Sequence, residues 1–226
     1  MLGVDLPDRT DPALLRAVLR LVVPRRDLSS AVDALLARFG SFASVLSTPP
    51  PDLRRIERLG EAGLAALKTV QAAALLLLRA KVIGHSVVDD HGALITYLYA
   101  AMARDPVEQF RVLFVDHLNR VITDEVLWRG TINNTPAYPR DVVKRALEWG
   151  AVAVIIVHNH PSGDPAPSEE DVRMTNLIEV AANSLGVRLL DHIIIGWEDW
   201  GSLRRDGFLR RGGRLRRDSV SSPIRP

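Results

Sequence analysis

Two histidines separated by one residue, His158 and His160, close an apolar run, and Asp171 follows shortly after them. On a strand, residues i and i+2 face the same side, so the two imidazoles project together while Asn159 points away. Such a pair grips a metal ion as a pincer. Asp171 is expected one turn into the next helix, where the proline-stiffened loop PSGDPAP can fold it back as a third ligand. Two histidines and one carboxylate leave a fourth tetrahedral position for water, the arrangement of catalytic rather than closed structural zinc. Nitrogen ligands suit zinc better than magnesium or calcium. A cation held there lowers the pKa of bound water from about 15.7 to about 7. At about 1.36 kcal/mol per unit, that is roughly 12 kcal/mol in favour of hydroxide. A glutamate close to the metal must still carry the water's proton to the leaving amine, a contribution of about 10²–10⁴ in rate.

Each of these residues also has an ordinary use. A lone histidine is commonly a core or loop residue, and Ser168 with Asp171 matches the capping box that starts a helix. The cap and a ligand role for Asp171 are compatible. His192, after Asp191, reads as structural, with a supporting or rival ligand role left open; His85, His91 and His117 fall at turns or boundaries. The adjacent letters HNH are not the nuclease of that name, whose residues are spread over a hairpin and helix. HExxH, GxSxG, GxxxxGK[ST] and GxGxxG are absent, and with no cysteine in the chain the nucleobase-deaminase pattern fails too.

The elements that must position these groups follow from periodicity. Ala151 to Val157 is a continuous, largely β-branched run, expected as a fully buried strand. Ser168 caps a helix whose expected apolar face is Val172, Leu177, Ile178, Ala181 and Leu185, and VRLLDHIIIG supplies a further strand. Upstream, Phe110 to Val115 and Val121 to Leu127 form a hairpin, Thr131 and Ile132 belong to a third strand, and Pro139 opens the helix PRDVVKRALEW. Asp89 or Asp90 begins the helix ALITYLYAAMAR. The fold class expected is α/β, a mixed sheet flanked by helices, with a small all-α N-terminal domain. That domain spans residues 11–82, the sheet domain 86–203 and a basic, flexible tail 204–226.

In the N-terminal domain, Leu14, Leu15, Val18, Leu19 and Val22 recur at helical spacing, and Gly60 separates a short helix, LRRIERL, from a longer apolar one. Helix, turn and helix can be a DNA-backbone module whose turn amides hold a phosphate, or a packing domain; Glu61 stands where an anion would approach.

The 226 residues are 47% hydrophobic and 25% charged, which excludes disorder and permits one or two domains. The formal charge of +2 hides +6 from Arg204 onward and −4 elsewhere, so any attraction to nucleic acid is expected to be weak, salt-sensitive and confined to the tail. The absence of cysteine fits a reducing compartment. No unbroken apolar run approaches the roughly 20 residues of a membrane span. The start, MLGVDLPDRTDP, is unlike a secretory signal, so the cytoplasm is expected.

The segment resembles the RadC family, a bacterial branch of the JAB/MPN+ (JAMM) metallopeptidase superfamily. The superfamily motif is HxH, seven residues, Ser, two residues, Asp, and His158, His160, Ser168 and Asp171 match every spacing. The likeness extends from EQFRVLFVDHLNRVI and EVLWRGTINNTPAYPRDVVKRAL through IIVHNHPSGDPAPSEEDV to DHIIIG, and more loosely to the N-terminal helices, which resemble a helix-hairpin-helix without its usual GxG turn. It implies JAB/MPN-like, cytidine-deaminase-like layering and a Zn²⁺ site of His158, His160 and Asp171. It further implies that Ser168 hydrogen-bonds the oxyanion and that an upstream glutamate acts on the water. Pro106-Val107-Glu108 ahead of FRVLFV fits the glutamate's place, with Glu125 as competitor. The activity implied is zinc-dependent cleavage of a peptide or isopeptide bond in a peptide or protein substrate. The alternative is a DNA-associated repair or processing factor with a structural metal site and nucleic-acid binding by the helical domain and basic tail.

Overall fold

The computed structural model describes residues 10–23, 28–130 and 138–209. They fall into two compact units, one within Met1–Arg79 together with Arg104–Pro106, the other within Ala80–Ala103 and Val107–Pro226. The expected third strand at Thr131 and Ile132 lies outside the described residues.

The first unit is helical: α1 (Asp11–Arg20), α2 (Ser29–Phe39), α3 (Phe42–Ser47), α4 (Pro50–Leu53) and α5 (Gly60–Ala80). Leu15, Leu19, Val32, Leu35, Val45, Leu53 and Leu67 form its core, each fully or almost fully buried. The Ser41 hydroxyl accepts the Ser44 N–H and so starts α3. The segment LRRIERL is not the short helix expected. Helix ends at Leu53, and turns follow in which Arg58 takes a positive φ of 66° and Ile56 and Leu59 turn inward. Glu61, in the first turn of α5, pairs with Arg54 at 2.9 Å. Among the described residues, α5 is the one helix long and apolar enough, by length and composition, to cross a membrane, although no single apolar run in the sequence foretold it. Lys68 within it donates to the carbonyls of Leu46 and Thr48.

The second unit holds α6 (His91–Met102), β1 (Gln109–Val115), β2 (Val121–Arg129), α7 (Pro139–Glu148), β3 (Ala153–Asn159), α8 (Glu169–Ser184), β4 (Arg188–Ile195) and the short β5 (Trp200–Ser202). Asp90 caps α6 through the Ala93 N–H. The strands lie in the order β2-β1-β3-β4-β5. β3 and β4 are parallel and the other neighbours antiparallel, so the sheet is mixed as expected. Phe110, Val112 and Phe114 of β1 meet Val154 and Ile156 of β3 under α7 and α8. The alternate residue Arg111 faces the other way, where it pairs with Asp124 of β2 and donates to Tyr97 of α6, which itself donates to Asp124 at 2.7 Å.

Two sequence expectations change here. The buried stripe of α8 is Asp171, Thr175, Ile178, Glu179 and Ala182, while Leu177 and Leu185 are exposed. The helix is rotated so that its polar residues, not its leucines, face inward at its N-terminal end. Residues 204–209 are not a tail: the Arg204 guanidinium donates to the Leu189 and Leu190 carbonyls, and Leu209 is buried in the sheet core. The basic residues after 209 lie outside the described residues.

Candidate metal centre

β3 carries AVIIVHN with every residue buried, because its branched side chains pack on both faces of the sheet. It ends with His158 on the face covered by α8, in register with Phe110 of β1 and Ile194 of β4. The chain then turns: the His160 N–H donates to the Ile195 carbonyl at 3.0 Å and the Gly163 N–H to the His160 carbonyl at 2.9 Å. Gly163 has a φ of +89°, and a Cβ there would lie 2.5 Å from the Trp197 ring. Only glycine fits, and the ring pins the loop.

The loop returns to Ser168, which caps α8. Its Oγ accepts the Asp171 N–H at 3.1 Å, and Asp171 Oδ2 accepts the Ser168 N–H at 2.8 Å, a complete capping box. The Ser168 hydroxyl hydrogen goes to Asp171 Oδ2 at 2.6 Å. Spacing marked Ser168 as a cap and the resemblance implied an oxyanion role; in the fold its hydroxyl caps α8 and points to Asp171.

His158, His160 and Asp171 converge. Nε2 of His158 lies 2.9 Å from Nε2 of His160 and 3.2 Å from Asp171 Oδ1, and His160 Nε2 is 3.5 Å from Asp171 Oδ2. Hydrogen-bond accounting assigns the protons. The His160 Nδ1 faces the Asp164 carbonyl at 2.6 Å, which can only accept, so Nδ1 carries a hydrogen and, in the neutral ring, Nε2 a lone pair. Thr175 Oγ1 lies 2.5 Å from the Asp171 carbonyl and 2.5 Å from His192 Nδ1. Its hydrogen goes to the carbonyl, so His192 Nδ1–H donates to Thr175. Burial holds His192 well below the ordinary histidine pKa, hence neutral, and its Nε2 accepts the His158 Nδ1–H at 2.8 Å. His158, also lowered chiefly by burial, therefore presents a lone pair at Nε2.

With both rings neutral, two lone pairs and a carboxylate oxygen thus face one another. Asp171 Oδ1 is buried and has no hydrogen-bond partner. Such a cluster of acceptors repels itself unless a cation lies among them. A tetrahedral ion bound at about 2.0–2.1 Å requires ligand–ligand edges of roughly 3.3 Å, close to the 2.9 Å and 3.2 Å separations at His158 Nε2, and one ligand atom from each of the three residues lies within 4.8 Å of the others. The donor set, two imidazoles and a carboxylate, fits zinc.

Burial of Asp171 would raise its pKa, but contacts with His158, His160 and Ser168 outweigh that and hold it far below the usual carboxylate value. His160, by contrast, is raised: burial lowers it, but Asp171, the Asp164 carbonyl and Glu108 together prevail. Glu108 stands just before β1, two residues from Phe110, the partner of His158. Burial pushes its pKa up to about 7, with the charge of His160 pulling it down and that of Asp171 pushing it up. Glu125 is engaged elsewhere, since Arg145 and Trp149 both donate to its carboxylate and lower its pKa. Of the two candidate glutamates, the fold brings Glu108 within electrostatic reach of the cluster.

Sequence reasoning left His192 among structural residues and did not single out Thr175. The signal for Thr175 was its place four residues after Asp171 on the same helical face.

The model of the RadC-like JAB domain matches residues 73–208. The chain is 48% identical over 199 residues to a UPF0758 protein of Rhodobacter capsulatus, covering 88% of this chain and 93% of that one. It is 44% identical over 199 residues to a UPF0758 protein of Ruegeria pomeroyi, covering 88% and 89%.

Proposed function

The chain belongs to the RadC family of JAB domains, and from that premise we propose that it is a zinc-dependent hydrolase of a peptide or isopeptide bond. One observation carries the reading: with both rings neutral, three acceptor atoms, buried or nearly so, converge beside a carboxyl raised to about 7. Zinc held by His158, His160 and Asp171 would supply Lewis acidity and lower the pKa of a water toward neutrality. The remaining work falls to the chain. Glu108 takes a proton from the attacking water as the water oxygen bonds to the carbonyl carbon. It delivers that proton to the nitrogen as the C–N bond breaks. A carboxyl with a pKa near neutrality is suited to both transfers. Ser168 orients Asp171, and its hydroxyl, turned toward the substrate, would donate to the oxyanion. The His160 side chain keeps 15% exposure, so the cluster opens to solvent as a substrate requires and a closed structural site does not.

The test is zinc-loaded protein against peptidyl-aminomethylcoumarin amides and ε-lysine isopeptide libraries, beside Glu108→Gln and His158→Ala. Glu108→Gln should keep stoichiometric zinc and lose about 10²–10⁴ in rate, and His158→Ala should lose both. Equal turnover in wild type and Glu108→Gln would overturn the assignment. Salt-sensitive binding of duplex DNA, with no amide cleaved, would favour the DNA-associated alternative.

A further inference from the structure

Asn159 stands between the two histidines and faces away from the cluster, yet its side chain is fully buried and committed to one purpose on the neighbouring strand. Its Oδ1 accepts the Gln109 N–H at 2.9 Å, and its Nδ2 donates to the Val107 carbonyl at 3.4 Å. Those two main-chain groups flank Glu108. We propose that Asn159 is a positioning residue for Glu108, clamping the peptide groups on both sides of it so that its carboxyl is held toward the cluster.

The backbone explains why a side chain is needed. The β1–β3 ladder begins at Phe110 opposite His158. One residue further along, β3 pairs with β4 through Asn159 and Ile195, and the His160 N–H also turns to β4. Past the Phe110–His158 pair, the Asn159 side chain adds a tie to the segment ahead of β1, offering an acceptor and a donor in one plane. The Gly130 N–H holds the Glu108 carbonyl at 3.0 Å from the other edge. An aspartate could accept from Gln109 but would set a carboxylate oxygen against the Val107 carbonyl. A serine would be too short to span both groups. Val107 is exposed, and losing the clamp would loosen the segment ahead of β1. A displacement of about 1 Å at a proton-transferring group costs on the order of 10²-fold in rate.

The consequence for turnover rests on the hydrolase reading; the clamp itself does not. The experiment compares wild type, Asn159→Ala, Asn159→Asp, Glu108→Gln and the Asn159→Ala/Glu108→Gln double variant. Each is assayed for zinc affinity by chelator competition, for turnover on the aminomethylcoumarin amides, and for amide hydrogen exchange at Gln109 and Val112. Asn159→Ala should bind zinc within about threefold of wild type and lose on the order of 10² in turnover. It should add less than about threefold to the loss in Glu108→Gln, because both changes disable one group. Exchange should speed up by at least about tenfold at Gln109 and stay unchanged at Val112, in mid-strand. Asn159→Asp, which retains the acceptor for Gln109, should fall between, and it carries the comparison should the alanine variant not fold. Wild-type turnover in Asn159→Ala, losses that multiply with Glu108→Gln, or a parallel fall in zinc affinity would each overturn the positioning role. Failure of the hydrolase reading looks different, with wild type and Glu108→Gln equally inactive.

Discussion

Nε2 of His192 lies 2.8 Å from Nδ1 of His158, and this contact decides which nitrogen of His158 is free to bind a cation. The chain of donors runs from His158 to His192 to Thr175 to the Asp171 carbonyl, so the helix that supplies the carboxylate ligand also sets the tautomer of the first imidazole. Thr175→Val breaks this chain with little change in shape. Zinc affinity should fall about 10–100-fold, measured by competition with a chromophoric chelator, with the far-ultraviolet circular dichroism unchanged. Affinity equal to wild type would show that His158 does not need the relay.

Stripping the metal should leave the cluster of acceptors facing one another. Zinc at a hundred times its dissociation constant should stabilise the fold by about 2.7 kcal/mol, read as a rise in calorimetric melting temperature. Magnesium and calcium, which prefer oxygen ligands, should not reproduce it. In His158→Ala the increment should vanish; a zinc-induced rise that survives there would place the ion elsewhere.

The cap that Ser168 provides and the oxyanion role proposed for it can be separated by substitution. Ser168→Ala removes the cap of α8 and should cost about 1 kcal/mol in urea denaturation. Ser168→Asn keeps a capping oxygen but no hydroxyl, so it should retain most of the stability. If the hydroxyl also turns to the oxyanion, both variants should lose about 10²–10³ in turnover. Loss of turnover that only tracks loss of stability would leave Ser168 a cap alone.

Glu179 sits on the buried stripe of α8 with 5% exposure, and burial raises its pKa above the usual glutamate value, Arg204 opposing weakly. The folded state therefore holds this proton more tightly than the unfolded one. Its favourable contribution is complete below the unfolded pKa and is lost as pH rises through the folded one. Glu179→Gln should make the protein more stable than wild type at neutral pH, and the advantage should disappear near about pH 4. A stability gain independent of pH, in urea titrations at both values, would contradict this.

How far the sequence reaches can be judged residue by residue. The strand at Ala151 to Val157 is legible from its apolar branched run, although it is observed at Ala153–Asn159, two residues further on, because the sheet pairs through His158 and Asn159. That His158 and His160 share a side followed from the period of a strand, and the cap at Ser168 from its spacing to Asp171. The inward face of α8 followed only in part: Ile178 is buried and Val172 and Ala181 pack against the core, whereas Leu177 and Leu185 are exposed. Periodicity counts leucines, whereas the fold buries Asp171, Thr175 and Glu179, polar groups that hydrophobicity assigns to solvent. The packed segment 204–209 was hidden for the same reason, since its charge concealed an arginine that caps strand carbonyls. Non-local partners, His192 for His158 and Val107 with Gln109 for Asn159, have no sequence signature, because strand order brings them together.

His158, His160 and Asp171 come from one continuous stretch, whereas Glu108 arrives from the segment ahead of a neighbouring strand and is tied to theirs through main-chain groups that a change of its side chain leaves in place. Glutamate and glutamine codons differ by a single base. On the proposed reading, a lineage carrying this architecture could therefore shed its chemistry in one mutational step while its ion-binding body persists, and descendants that only bind zinc would stand one nucleotide from those that cut.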